Sequence, residues 1–136
     1  MHTPISKLLC IITLFCTTPL YAKSNDENQT SCQKVKFQDT AQAWAGHYYL
    51  QGVMEVGSEL LLETNGKFKW YLAVGSLDQY AEGTWWKNGN CIGLKALPKY
   101  SKHLEIFPSR LDVEEYHLTV TWIGGRQDGA YIRATQ

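Results

Sequence analysis

The chain has 136 residues, with 13 basic and 13 acidic side chains, so its formal charge is zero. That length suits one domain. A near-neutral surface with scattered basic residues argues against nucleic acid or an anionic membrane as partner, because both demand concentrated positive charge.

The first 22 residues have the layout of a secretory signal. Lys7 supplies the positive start, Leu8 to Phe15 the apolar run, and Pro19-Leu20-Tyr21-Ala22 the break and the small residue for cleavage. The apolar run is too short to cross roughly 30 Å of hydrocarbon as a helix. An uncleaved anchor is the alternative; lipid attachment at Cys16 is a further one, disfavoured by the bulk of Phe15. Cleavage leaves about 114 residues carrying 12 basic and 13 acidic groups, enough to bury a core without a metal.

Residues 23–31 (KSNDENQTS) are uniformly polar and read as a flexible leader. The remainder, 32–136, reads as one domain. Cys10 and Cys16 fall in the signal, and Cys32 and Cys91 remain. In an oxidising exported compartment two such cysteines most simply form a bridge. The other role, a reactive dithiol, requires a close pair such as CxxC, and none is present.

From Asp39 onward no window carries a helical apolar stripe, and Asp39 to Trp44 has room for one short helical turn at most. The rest shows period-2 alternation with Asn-Gly and Gly-Gly punctuation, the pattern of antiparallel strands. A first strand is expected over Ala45 to Leu50. Next, Met54, Val56, Leu60 and Leu62 form one face of a strand, with Glu55, Gly57 and Glu59 on the other. Phe68, Trp70, Leu72 and Val74 continue that apolar face. A three-residue loop at Thr64-Asn65-Gly66 places Leu62 beside Phe68 and Leu60 beside Trp70, whereas a two-residue loop would mix the faces. A four-residue loop over Gly75 to Asp78 then pairs Leu72 with Ala81, Trp70 with Gly83 and Phe68 with Trp85. A two-residue Asn88-Gly89 turn pairs Trp85 with Ile92 and sets Cys91 opposite Trp86, on the face away from the core. The disulfide should therefore pin the segment around Cys32 to the outside or the edge of the sheet.

Further along, Leu104, Ile106 and Phe107 read as a short strand ended by Pro108. Tyr116, Leu118, Val120 and Trp122 mark a strong strand, and Ala130 to Ala134 returns after the Gly124-Gly125 turn. About eight strands in a sequential antiparallel meander predict an all-β fold: a small β-barrel, closed or partly open, with a β-sandwich as the alternative. Large inward rings at Trp70, Trp85 and Trp122 predict a filled interior rather than a hollow carrier.

The stretch GHYYLQGVMEVGSELLLETNGKF, followed by a Gly-x-x-Asp loop and a Gly-x-Trp strand, resembles a group of exported proteobacterial β-domain proteins of unknown function. Their shared pattern is YYLxGVxEVxSELxLxxxGxF. It corresponds here to Tyr48 through Phe68, with Gly75 to Asp78 and Gly83 to Trp85 after it. The resemblance implies a β fold exported to a Gram-negative periplasm, and it carries over no functional residue.

Catalytic patterns are thin. Glu55, Glu59 and, across the hairpin beside Tyr71, Glu82 share one expected face. Residues four apart on a strand are about 13 Å apart, too far for two carboxylates to share one glycosidic bond. His47, His103 and His117 are scattered, and zinc needs three or four ligands. Ser58 points inward within a strand and lacks the Gly-x-Ser-x-Gly elbow. No metal or cofactor is expected. The outward aromatics are more informative. Tyr49, Tyr71 and Trp86 fall opposite the core, with Trp86 beside Lys67 for a cation–π contact. Together with Glu55, Glu59 and Glu82 they make a candidate partner-binding face. The expectation is an exported, periplasmic, non-catalytic binding protein for an unknown protein or small ligand. One concrete form is an inhibitor or immunity protein against a cell-envelope enzyme or toxin. The alternative is a hydrolase using surface carboxylates, with Asp78 and His47 as further candidates.

Overall fold

The computed structural model describes residues 31–135. The expected signal (1–22) and nearly all of the expected leader (23–31) lie outside the described residues. Eight antiparallel strands follow one another around a closed barrel: β1 Gly46–Gln51, β2 Val56–Leu62, β3 Lys67–Val74, β4 Leu77–Asn88, β5 Cys91–Ala96, β6 Pro108–Glu114, β7 His117–Trp122 and β8 Gln127–Arg133. Every strand pairs with its neighbours in sequence, and β8 closes onto β1 through Tyr48↔Arg133, Tyr49↔Ile132 and Leu50↔Tyr131. A 3₁₀ helix over Asp39–Trp44 precedes β1, and a four-residue helix, α1, spans Pro98–Ser101.

The β2–β3 hairpin has the expected three-residue loop. Leu62 faces Phe68, Leu60 faces Trp70, and Gly66 takes the left-handed conformation with φ +82°. The next two hairpins are built differently from expectation. Val74 pairs with Leu77 across a two-residue Gly75-Ser76 loop, so Trp70 faces Ala81, and Phe68 rather than Trp70 faces Gly83. Asn88 pairs with Cys91 across Gly89-Asn90, so Trp85 faces Leu94, and Trp86 faces Gly93. Both loops put a left-handed glycine first, Gly75 at φ +57° and Gly89 at φ +58°, as a type II′ hairpin requires. Each true register differs from the expected one by two residues. Such a shift leaves every side chain on the same face, so hydrophobic alternation had no power to separate the two. At β3–β4 the tighter loop adds a ladder pair next to the turn; at β4–β5 both loops have two residues, and the observed one puts the glycine in the first, left-handed position.

Three further expectations are corrected. Residues 104–107 are not a strand. They fold over the barrel interior, where Phe107 meets Trp70 edge-on at 4.9 Å. The buried Gln79 amide holds them, donating to the Ile106 carbonyl at 2.7 Å and accepting from the Ile106 N–H at 3.1 Å. The strand instead begins at Pro108 and runs to Glu114. Proline is tolerated as a first strand residue, and the run escapes notice because its outward positions are charged, with Arg110 paired to Asp112 at 2.9 Å. Met54 and Tyr116, expected to face inward, sit in turns at 89% and 87% exposure.

Trp70, Trp85, Tyr48, Tyr131, Phe68, Leu60 and other fully buried side chains fill the barrel. Their polar atoms are satisfied in a directed chain. Trp70 Nε1–H donates to the Tyr131 hydroxyl (2.9 Å), which donates to Ser58 Oγ (2.7 Å), which donates to the Tyr71 carbonyl. The chain ties β8 to β2 and β3 across the interior. Trp85 Nε1–H donates to the Glu63 carbonyl, and Arg133 reaches the Tyr48 hydroxyl at 2.9 Å. Among the described residues no buried side-chain nitrogen or oxygen lacks a partner.

The disulfide joins Cys32 to Cys91, with Cα atoms 5.8 Å apart. It straps residues 32–35 across the outside of β4 and β5. Trp86 lies under this strap at 7% exposure; its ring covers Gly93, where an added Cβ would come within 2.2 Å of the indole. The indole N–H donates to the Gln33 carbonyl at 3.0 Å, and the Lys34 ammonium stands 5.9 Å from the ring. The cation over Trp86 is thus Lys34, whereas Lys67 lies opposite Thr84.

Two outcomes test this account. The Cys32→Ser/Cys91→Ser protein should lose about 2–4 kcal/mol of stability, read as a lower denaturant midpoint; an unchanged midpoint would show that the strap contributes nothing. Burial pushes the Tyr131 phenol up to about 12, against an ordinary value near 10 in the unfolded chain. The folded state therefore keeps its proton where the unfolded state releases one. Stability should be intact below about pH 10 and fall between about pH 10 and 12. Tyr131→Phe should flatten that alkaline loss while lowering stability at neutral pH by roughly 1–3 kcal/mol, since Trp70 and Ser58 lose their partner.

Candidate functional site

Pairing registers determine which outward residues stand side by side. Reading across the strands, Ile132 of β8 faces Tyr49 of β1, Tyr49 faces Glu59 of β2, Glu59 faces Tyr71 of β3, and Tyr71 faces Tyr80 of β4. These five side chains form one continuous row on the outer surface. Its four large members are each close to 40% exposed. The row below it holds His47, Leu61, Lys69 and Glu82, and the row above holds Gly57, Ala73 and Asp78. A shallow depression of about 230 Å³ lies among His47, Glu59, Leu61, Lys69, Tyr71 and Tyr80.

The rings are held in place by neighbours. Tyr49 packs against the His47 imidazole with ring centres 4.7 Å apart, and His47 Nε2 lies 3.3 Å from the Glu59 carboxylate. The Tyr71 hydroxyl donates to Asp78 at 3.2 Å, which raises the phenol's pKa because the neutral form is the donor. Tyr80 meets Tyr100 of α1 edge-on at 5.6 Å, and the Tyr100 hydroxyl donates to Glu82 at 2.8 Å. That hydrogen bond holds the Glu82 carboxyl below its ordinary value.

The expected partner face is thus partly assembled. Tyr49, Glu59 and Tyr71 are brought together as one row. Glu82 is nearby but opposes Lys69 rather than Tyr71, because of the two-residue register shift in β4. Glu55 is not in a strand. It sits in the β1–β2 turn with a left-handed φ of +63° and is exposed beyond the row. Trp86 is removed altogether, buried under the disulfide strap. Tyr80 and Tyr100 were missed in the sequence: Tyr80 joins the row only in the tighter register, and Tyr100 only through a helix packed on β4.

The other side of the barrel is different in character. A polar depression of about 410 Å³ is lined by Asp112, Glu114, Thr119, Thr121, Gln127 and Asp128. Its aspartates already have cations, Arg110 for Asp112 at 2.9 Å and Arg126 for Asp128 at 3.2 Å. An apolar depression of about 580 Å³ near Trp44, Tyr116 and Ile132 adjoins the aromatic row through Ile132. His47, His103 and His117 do not converge, and among the described residues no three His, Cys, Asp or Glu side chains are placed to hold a metal ion. No helix among the described residues is long and apolar enough to cross a membrane. Comparison with protein-family models, with curated proteins and with solved structures gives no match.

The Tyr71–Asp78 contact is open to direct test. Asp78→Ala should bring the Tyr71 phenol back toward its ordinary value, followed by the pH dependence of its ring resonances. An unchanged midpoint would mean that the Asp78 hydrogen bond does not raise the phenol's pKa.

Proposed function

We propose that this is an exported, periplasmic, non-catalytic binding protein whose working surface is the outer face of β1–β4. The observation that supports this reading is the row Tyr49–Glu59–Tyr71–Tyr80, half-exposed and with each ring in contact with a neighbouring side chain. Tyrosine combines apolar area with a polar tip and is enriched at protein interfaces. Side chains ordered before binding lose little entropy on contact. A protein partner is favoured over a small ligand because the row is broad and its depression shallow, whereas small-molecule pockets enclose most of their ligand. A rigid, strapped barrel presenting such a face suits the inhibitor form of this function, directed at a cell-envelope enzyme or toxin.

The hydrolase reading has less support. Glu59, Asp78 and Glu82 stand on the outside of a barrel, and each already engages a neighbour: His47, Tyr71 and Tyr100 respectively.

The test is a photoreactive phenylalanine analogue placed at Tyr71, and separately at Thr119 on the opposite side of the barrel. Irradiation of the exporting cells should give one stoichiometric adduct from position 71 and none from 119. Repeated absence of an adduct at 71, or the same adduct from both positions, would overturn the assignment.

A further inference from the structure

The β1–β4 face has a chemical bias that narrows its partner, given that it is the binding surface. We infer that the slot between Tyr49 and Tyr71, with Glu59 standing in it, is a guanidinium site that receives an arginine side chain from a partner protein.

The slot spans two strand spacings, about 9.6 Å at the backbone. Aromatic rings flank it, and Glu59 stands between them, 51% exposed, its nearest described partner the His47 imidazole at 3.3 Å. Three carboxylates, Glu59, Asp78 and Glu82, surround the row against two ammoniums, Lys69 and Lys99. The face is therefore negative and suits a cationic group. A planar guanidinium fits better than an ammonium, because it stacks on a ring face while its fork of N–H groups engages a carboxylate.

The chain uses this chemistry elsewhere. The Arg133 guanidinium lies 5.4 Å from the Tyr48 ring and 5.9 Å from the Trp44 ring while donating to the Tyr48 hydroxyl and to the carbonyls of Ala43 and Ala45. Three described aromatics carry a lysine: Lys34 over Trp86, Lys87 over Trp44 and Lys99 over Tyr100. Among the described residues no lysine or arginine stands over Tyr49, Tyr71 or Tyr80; the His47 imidazole covers one side of Tyr49 and leaves Tyr71 open on the other side of Glu59. These are the rings that frame the acidic slot. An uncharged oligosaccharide would also stack on tyrosines, but it would gain nothing from the excess of carboxylates.

The experiment is an NMR titration of the purified protein with Nα-acetyl-arginine amide, Nα-acetyl-lysine amide and diacetylchitobiose, reading the ring protons of Tyr49, Tyr71 and Tyr80. The arginine probe should move the Tyr49 and Tyr71 rings saturably, the lysine probe less, and the sugar least. Raising the ionic strength to about 1 M, where charges are screened beyond roughly 3 Å, should weaken the arginine response. Glu59→Gln keeps the shape of the surface and should weaken it about two- to fivefold. No saturable shift up to the solubility limit, an equal response to lysine, or a stronger response to the sugar would each overturn the site. If position 71 still yields its protein adduct in that case, the face binds by other chemistry and only the arginine site falls. A positive arginine titration without any adduct would instead remove the proposed function.

Discussion

Closing an eight-stranded barrel with this sequence places a tyrosine hydroxyl where no water can reach it. Tyr131 enters from the last strand, is fully buried, and must find its partners across the interior. It finds the indole of Trp70 and the hydroxyl of Ser58. An unpaired hydroxyl there would cost about twice what a paired one contributes, which favours the observed register of the last strand against β1. Ser58 is small where three groups meet, and the Trp70 N–H is directed at the same hydroxyl. The polar chain thus sets the closure of the barrel, while the surrounding leucines and rings supply the bulk of the apolar burial.

The remainder of the chain serves to cover what the strands leave open. Before β1, the disulfide-bonded segment and the 3₁₀ helix lie over Trp86, Trp85 and Tyr48. Phe37 meets Trp85 edge-on at 5.0 Å, and Tyr48 donates to the Trp44 carbonyl at 2.7 Å. Between β5 and β6, where only two residue pairs join the strands, residues 97–107 span the gap and insert Phe107. One aromatic patch on the outside is thereby consumed by the fold, and a different one, on β1–β4, is left available. The covering segments therefore decide which face of the barrel is free to work.

On that free face, proximity arises from strand register. Tyr49, Glu59, Tyr71 and Tyr80 are separated by 10, 12 and 9 positions in the chain, yet they are consecutive across the sheet. Each ring is held by a group on another row or on α1. This ordering, with its excess of carboxylates, is why the face is proposed as the binding surface.

The linear sequence was enough to establish the all-β class, the strand parity, the Cys32–Cys91 pair, the Gly66 corner and the inward set Leu60, Phe68, Trp70 and Trp85. The disulfide follows from the two cysteines left outside the expected signal; the others follow from the two-residue repeat of a strand, which any pairing must respect. Tertiary structure alone decided the choice between registers two residues apart, because both satisfy that repeat equally. It therefore decided that Tyr80 rather than Glu82 stands beside Tyr71. It also decided that Trp86, outward by parity, is buried by a segment more than fifty residues earlier in the chain. Burial of an outward residue depends on what crosses over it, and that information is present in no local pattern.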